Sequence, residues 1–196
     1  MKKKIVLATN NINKVKEFKS AFAHTNYEIV SLDELNLVLD VEETGTTFEE
    51  NAIIKATYIH NLTNLPVIAD DSGLEIRALD GFPGVNSHRF MENSPYTEKC
   101  KALSEKLEPY SDKGARFVCS IALVGFSNFP DVFNGEVKGR FSKELRGEQR
   151  FGYDPAFYIP QLDKTMAELK QEEKNAISHR GKAIEKLVTF LENHDF

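Results

Sequence analysis

The stretch KIVLATNNINKVKEFKSAFA, residues 4–23, decides the fold class. Its first five residues, Lys4 to Ala8, contain a run of four apolar side chains and predict a buried strand. Thr9 to Asn13 are polar turn residues, and from about Lys14 to Ala23 the apolar side chains recur at helical spacing. A strand that leads through a short polar loop into a helix is the α/β arrangement that can bind an anion at the helix N-terminus.

The rest of the chain extends this pattern. Apolar runs predict strands over residues 27–32, 66–69, 74–79, 116–126, 132–138 and 157–159. Thr47 and Glu50 fit a capping box that opens a second helix, and further helices are expected to begin at Ser94–Pro95 and at Ser178. Because strands and helices alternate early while the later strands look like hairpins, we expect an α/β fold with a mixed sheet flanked by helices, built as one domain over residues 1–196.

Composition restricts the class of partner and the compartment. The 196 residues carry a formal net charge of −5 with no run of five or more basic residues, which disfavours a nucleic-acid partner but is compatible with a small anionic ligand. Cys100 and Cys119 fit no zinc spacing and indicate a reducing compartment. The apolar run that follows the basic N-terminal residues is too short for a signal peptide or a membrane span, so we expect a cytoplasmic protein with no membrane partner.

The loop after the first strand is the first candidate site. Thr9, Asn11 and Lys14 could converge with helix N–H groups on one anion, because those groups and the helix dipole already favour negative charge. A plain helix cap followed by a solvated lysine is the alternative. The patterns GxxxxGK[ST], GxGxxG, GxSxG and HExxH are all absent, so any phosphate chemistry here must use another arrangement.

Acidic residues form the second and third candidates. Asp70 and Asp71 follow the strand predicted at 66–69, where ligands of α/β sheets gather, and their carboxylates could hold Mg²⁺. The alternative is an acidic turn closed by Gly73. The pair Glu42–Glu43 in an acidic loop is either solvated or adds one more carboxylate to that metal site.

Two segments near the C-terminus complete the candidates. Phe151-Gly152-Tyr153-Asp154-Pro155 is a tight turn whose aromatic residues either stack on a base or belong to the core. Lys174 to Arg180 place cations and a histidine at the start of the last predicted helix, which is electrostatically unfavourable unless an anion binds there. A solvated basic loop is the alternative.

Six segments in this order resemble the inosine triphosphate pyrophosphatase family: LATNNINKVKEF, EETGTTFEENAIIKA, ADDSGLEI, GFPGVNSHRF, RFGYDPAFYIP and EEKNAISHRGKA. The resemblance covers nearly the whole chain, and ADDSGL, FGYDP and ISHRGKA together are highly specific. It implies an elongated mixed sheet with flanking helices, two lobes with a central substrate cleft, and a homodimer. It also implies Mg²⁺-dependent cleavage of deaminated purine nucleotides (ITP, dITP and XTP) to the monophosphate and pyrophosphate.

The resemblance also implies roles for individual residues. Asp71 is the proton acceptor and a metal ligand, and Glu42 is the second metal ligand. The implied substrate contacts are Thr9, Asn10, Asn11, Ile12, Asn13, Lys14, Ser72, Phe151, Gly152, Tyr153, Asp154, Lys174, His179 and Arg180. A fixed donor such as His179 or Arg180 would favour the 6-oxo group of hypoxanthine or xanthine over the amino group of adenine.

One departure from the family pattern bears on specificity. Gln149 and Arg150 stand where similar proteins carry two glycines directly before FGYD. A stiffer and more positive loop could alter the approach to the base pocket. Rival interpretations are a pyrophosphatase for other modified nucleotides and a non-catalytic nucleotide-binding protein, and the Asp70–Asp71 pair argues against the latter.

Overall fold

The computed structural model describes residues 2–148 and 151–194. Within these residues the helices are α1 (Ile12–Ala21), α2 (Phe48–Thr63), α3 (Tyr96–Leu107), α4 (Gln171–Ile177) and α5 (His179–Asn193). The strands are β1 (Lys3–Leu7), β2 (Tyr27–Ser31), β3 (Val67–Ile76), β4 (Gly114–Val124), β5 (Asp131–Phe141), β6 (Phe157–Ile159) and β7 (Lys164–Thr165). Gln149 and Arg150, where the sequence departs from the family pattern, lie outside the described residues.

The strands form one mixed sheet in the order β2-β1-β3-β4-β5-β6-β7. β1 pairs in parallel with β2, where Ile5 faces Ile29, and in parallel with β3, where Leu7 faces Ile68. β6 pairs antiparallel with both β5 and β7. The mixed sheet predicted from the sequence is therefore confirmed.

The chain divides into two compact units. The described part of unit 1 comprises residues 2–71, 119–135 and 180–194, and that of unit 2 comprises residues 72–118, 136–148 and 151–179. The division falls between Asp71 and Ser72, in the middle of β3. Two units agree with the expectation of two lobes.

Unit 1 buries both faces of its part of the sheet. Ile5 and Leu7 of β1 belong to a core cluster with α1 and α5, whereas Val6 belongs to a cluster with α2. β3 alternates in the same way, with Ile68 in the first cluster and Val67 in the second. Successive strand residues point to opposite faces, so continuous apolar runs are what a sheet covered on both sides requires.

Unit 2 has a core cluster of its own. Leu74 and Ile76 of β3 pack there with Cys100 and Leu103 of α3 and with Phe117 of β4. Cys100 is a buried free thiol, as is Cys119 in unit 1. Among the described residues no helix has the length and apolar character needed to span a membrane.

Two predictions about elements were wrong. We expected a strand over 66–69 that ends at Asp70, but β3 continues through Asp70–Gly73 to Ile76. The strand continues because cations pair with both carboxylates and remove the repulsion that would favour an exposed turn.

The sequence also missed α4. Lys174 lies in its last turn rather than in a loop, and Ser178 ends α4 in an extended conformation before α5 begins at His179. The backbone N–H of Lys170 donates to the Glu173 carboxylate at 2.9 Å and fixes the start of α4. A helix of 7 residues with no buried side chain has no apolar stripe to detect.

Candidate active site

The loop between β1 and α1 forms a helix cap in unit 1. The Asn11 side chain accepts hydrogen bonds from the backbone N–H groups of Asn13 at 3.0 Å and Lys14 at 3.4 Å. The Thr9 hydroxyl accepts one from the Asn11 backbone N–H at 3.1 Å. Thr9 and Asn11 therefore fix the start of α1, while Ile12 is 62% exposed.

Asn10 ties this loop to the segment that precedes the acidic pair. Its side-chain amide donates to the backbone carbonyl of Leu39 at 2.9 Å and accepts from the Leu39 N–H at 3.0 Å. The side-chain amide of Asn10 thus pairs with the backbone of Leu39 as a neighbouring strand would, and it connects two loops of unit 1.

A buried ion-pair network surrounds Asp70. The Lys14 ammonium lies 2.8 and 2.9 Å from the two carboxylate oxygens, and Arg180 Nε lies 3.3 Å from Oδ2. Another guanidinium nitrogen of Arg180 lies 3.1 Å from the carboxylate of Glu17. Burial alone would raise the pKa of Asp70, but the positive charges of Lys14, Arg180 and Lys55 outweigh burial and hold that pKa well below its usual range.

Asp71 lies in a different environment, which α2 provides. The Asn51 amide donates to Asp71 Oδ2 at 3.1 Å, and the Lys55 ammonium lies 3.6 Å from Oδ1. The same ammonium lies 2.6 Å from the carboxylate of Glu43. Lys55 therefore bridges two carboxylates that would otherwise repel each other.

Burial and charge shift both partners of this bridge. Burial raises the pKa of Asp71, and the negative charges of Glu43 and Asp70 add to that effect while Lys55 opposes it. Burial would lower the pKa of Lys55, but the carboxylates of Asp71, Asp70 and Glu43 outweigh burial and raise it. Neighbouring aspartates thus shift in opposite directions, a pattern that active sites share.

The carboxylates near Lys55 are suitable for a divalent cation. The described residues contain no group of three or more His, Cys, Asp and Glu side chains that could hold a metal ion. Mg²⁺ commonly uses only one or two protein carboxylates and takes its other oxygens from water and phosphate. Glu43 is the acid that shares Lys55 with Asp71, whereas Glu42, the predicted metal ligand, is exposed.

Sequence reasoning missed Asn51 and Lys55. Both lie on α2, where the stripe formed by Phe48, Ala52, Ala56 and Ile59 is apolar, and both are buried with that stripe. A lysine that shares the buried face of a helix usually has an acidic partner, so the position of Lys55 in the sequence indicated a buried ion pair.

The turn from Phe151 to Asp154 belongs to unit 2 and exposes one ring while burying another. Gly152 has a φ of 58°, the left-handed conformation that glycine adopts without strain. Phe151 is 45% exposed and Tyr153 is buried, where its hydroxyl donates to the Ser87 carbonyl at 2.7 Å. The two aromatic residues of the motif therefore lie in different environments, Phe151 at the surface and Tyr153 in the core cluster of unit 2.

The other residues of unit 2 predicted to contact the substrate are Lys174, His179 and Ser72. The Lys174 ammonium pairs with the Asp154 carboxylate at 2.5 Å and lies 5.4 Å from the centre of the Phe151 ring. The His179 ring stacks on Phe117, and Ser72 is partly exposed on β3.

The predicted residues thus form two groups. Unit 1 brings Lys14 and Arg180 together around the Asp70 carboxylate, and places Asp71 beside Lys55 of α2. Unit 2 brings Phe151, Asp154 and Lys174 together.

Comparison with known proteins assigns this arrangement to a family. Residues 5–190 match the sequence profile described as the Ham1 family. The chain belongs to the Ham1 family. It is 47% identical to the dITP/XTP pyrophosphatase of Staphylococcus aureus (strain MW2), and the match covers 97% of each chain. The resemblance drawn from the sequence is confirmed.

Solved structures of family members support the same assignment. The Staphylococcus aureus Ham1 protein superposes with a TM-score of 0.91 and 46% identity, covering 98% of this chain and 100% of that one. A HAM1 protein from Coxiella burnetii superposes with a TM-score of 0.93 and 43% identity, with the same coverage. The α/β fold of this chain is therefore the fold of these Ham1 structures.

Proposed function

We propose that this Ham1-family protein is a dITP/XTP pyrophosphatase, a hydrolase of acid anhydrides that cleaves deaminated purine nucleoside triphosphates to the monophosphate and pyrophosphate. The observation that carries the proposal is the adjacent pair Asp70 and Asp71, because Asp70 is held in ion pairs with Lys14 and Arg180 whereas Asp71 lies beside Lys55. The activity removes deaminated purines from the nucleotide pool, and the whole chain acts as one catalytic domain.

In this proposal unit 1 supplies the groups for the triphosphate and for the metal. Lys14 and Lys55 bring positive charge, and the α1 N-terminus adds backbone N–H groups near Asn11. Asp71 with Glu43 or Glu42 would hold Mg²⁺, because carboxylate oxygens are its preferred protein ligands. When bound, Mg²⁺ neutralises charge on the phosphates and increases the acidity of water.

Asp71 is the proposed base. Water forms a new bond to the α-phosphorus, the bond from that phosphorus to its bridging oxygen breaks, and pyrophosphate leaves. The proton lost by the water passes to the Asp71 carboxylate, whose pKa burial raises in the metal-free protein. Asn51 holds this carboxylate in place through its amide at 3.1 Å.

Unit 2 supplies the groups proposed for the base. The exposed ring of Phe151 is a stacking platform, and Lys174 is held beside it by Asp154. His179 is the preferred donor to the 6-oxo group, since the Arg180 guanidinium already serves Asp70 and Glu17. A site built to donate to an oxo group rejects adenine, because the amino group of adenine leaves that donor without an acceptor.

A nucleotide panel tests the proposal directly. Pyrophosphate and inorganic phosphate are measured for dITP, ITP, XTP, GTP, ATP, dUTP and methylated GTP, with and without Mg²⁺. We expect one pyrophosphate per monophosphate, with dITP, ITP and XTP preferred and activity dependent on Mg²⁺. Preference for dUTP or methylated GTP would instead favour a pyrophosphatase for other nucleotides, and tight ITP binding without turnover would favour a non-catalytic binding protein.

An aspartate variant tests the proposed base. Asp71→Asn keeps the shape of the side chain and removes the proton acceptor, so turnover should fall by at least a hundredfold, the lower end of what a general base contributes. Asp33→Asn, in an exposed turn of the same unit, is the control and should retain wild-type activity. Wild-type rates in Asp71→Asn would remove Asp71 from the mechanism.

We further propose a cytoplasmic homodimer. The buried free thiols of Cys100 and Cys119 suit a reducing compartment, and the homodimer follows from the family resemblance. Light scattering at micromolar concentration should give twice the 22.2 kDa of one chain. A mass of one chain would contradict the homodimer and leave the catalytic proposal untouched.

A further inference from the structure

Three aromatic rings of unit 2 form one stack that ends at His179. The Phe117 ring of β4 stacks on the Phe157 ring of β6, with centroids 4.4 Å apart and planes 29° apart. The same ring also stacks on the His179 imidazole, with centroids 5.0 Å apart and planes 21° apart. Phe117 is therefore the ring that the two stacked pairs share, and of its partners Phe157 is buried and His179 is partly exposed.

A glycine on β5 leaves space for this stack. β5 lies between β4 and β6 and carries Gly139 beside the Phe157 ring. A Cβ atom on Gly139 would lie 2.7 Å from Phe157 Cε1 and 2.5 Å from the Tyr158 carbonyl oxygen. The missing side chain leaves room for Phe157 to lie against Phe117, which in turn meets the histidine.

We propose that Phe117 is a positioning residue that fixes the plane of the His179 ring, and through it the direction of the ring N–H that recognises the purine. The inference rests on the proposed function, because it assigns His179 to the substrate. A side chain at the first residue of a helix has few neighbours within its own helix to restrict it. A flat ring face across one side of the imidazole supplies that restriction, since stacked aromatic pairs prefer parallel offset geometry.

Leucine substitution separates stacking from packing. Phe117→Leu keeps an apolar side chain of similar reach and removes the flat face. Phe141→Leu is the matched control, because Phe141 is buried in the same core cluster but lies outside the stack. Both variants lose a buried ring and are expected to lose similar stability, so a difference between them in activity reports the stack.

Kinetics of pyrophosphate release from ITP are measured for these variants, for His179→Ala and for the double variant Phe117→Leu/His179→Ala. We expect Phe117→Leu to lower kcat/KM by about tenfold, the upper range of one aromatic contact, while Phe141→Leu stays within about twofold of wild type. The double variant should match His179→Ala alone, because Phe117 then has no ring to orient. Additive losses, equal losses in the two leucine variants, or a silent His179→Ala would each overturn the proposal.

Proton NMR of the His179 side chain adds a readout that does not depend on turnover. The three-bond couplings between its α and β protons report the side-chain rotamer, and they should indicate a single rotamer in the wild type and in Phe141→Leu but rotamer averaging in Phe117→Leu. If the wild type releases no pyrophosphate from any nucleotide, the proposed function fails while this spectrum still decides whether Phe117 orients the ring. Unchanged couplings in Phe117→Leu would show that it does not.

Discussion

Asp70 and Asp71 are adjacent in β3 yet face opposite sides of the sheet. Side chains alternate along a strand, so Asp70 lies on the same face as Ile68, which packs against α1 and α5. On that face Asp70 pairs with Lys14 and Arg180. Asp71 points with Val67 toward α2 and meets Lys55 there. Because the two aspartates are one residue apart and face opposite sides, the pKa of Asp70 is lowered by its ion pairs whereas the pKa of Asp71 is raised.

This difference can be measured in the metal-free protein. Because burial and the charge of Glu43 raise the pKa of Asp71, its carboxyl carbon should titrate above the ordinary aspartate value of about 3.9. Glu43→Gln removes one negative charge next to Lys55 and should shift that titration to lower pH, whereas Glu49→Gln, exposed in the first turn of α2, should leave it in place. Carbon NMR of the side-chain carboxyl groups records both. An Asp71 midpoint that does not move in Glu43→Gln would contradict the coupling.

At the scale of elements, α2 carries both Asn51 and Lys55, and its start is fixed by a capping box. The Thr47 hydroxyl accepts from the Glu50 N–H at 3.1 Å, and the Glu50 carboxylate accepts from the Thr47 N–H at 3.2 Å. Thr47→Ala removes one of these bonds and should lower the free energy of unfolding by about 1 kcal/mol. Urea unfolding measures the loss, and the exposed Glu49→Ala in the same turn should cost less than half as much. Equal losses would mean that the box contributes nothing beyond helix propensity.

The capping box also shows which elements could be predicted. Thr47 and Glu50 are three residues apart, so a local pattern carried the whole signal, and the structure confirms it. The continuation of β3 through Asp70 depended instead on Lys14 and Arg180, which lie 56 and 110 residues away in the chain. No local pattern in the sequence encodes that pairing. The position of the acidic pair after a predicted strand drew attention to it, but only the structure revealed the partners that separate the two aspartates.

For the whole molecule, the network around Asp70 connects distant parts of unit 1. Lys14 comes from α1, Asp70 from β3 and Arg180 from α5, and Glu17 closes the set on α1. The two positive charges of Lys14 and Arg180 neutralise the two negative charges of Asp70 and Glu17 at a largely buried site. Removing one partner of such a set leaves an uncompensated charge, which typically costs about 3–5 kcal/mol. The stability of unit 1 is therefore tied to the ionisation of one aspartate.

That link fixes how stability depends on pH. The cations hold the folded-state pKa of Asp70 below its unfolded value of about 3.9, so its contribution is fully present above about pH 4 and is lost as pH falls toward the folded-state pKa. Urea unfolding of the wild type should give a free energy that decreases from pH 5 to pH 3. Asp70→Asn should be less stable than the wild type at pH 7 and should lose less stability on acidification, because it has no carboxylate to protonate.

Asp33→Asn, exposed in the same unit, should keep the wild-type dependence of stability on pH. If Asp70→Asn proves too unstable to purify, the pH dependence of the wild type still decides, since a free energy that is flat from pH 5 to pH 3 would contradict a stabilising ionised Asp70.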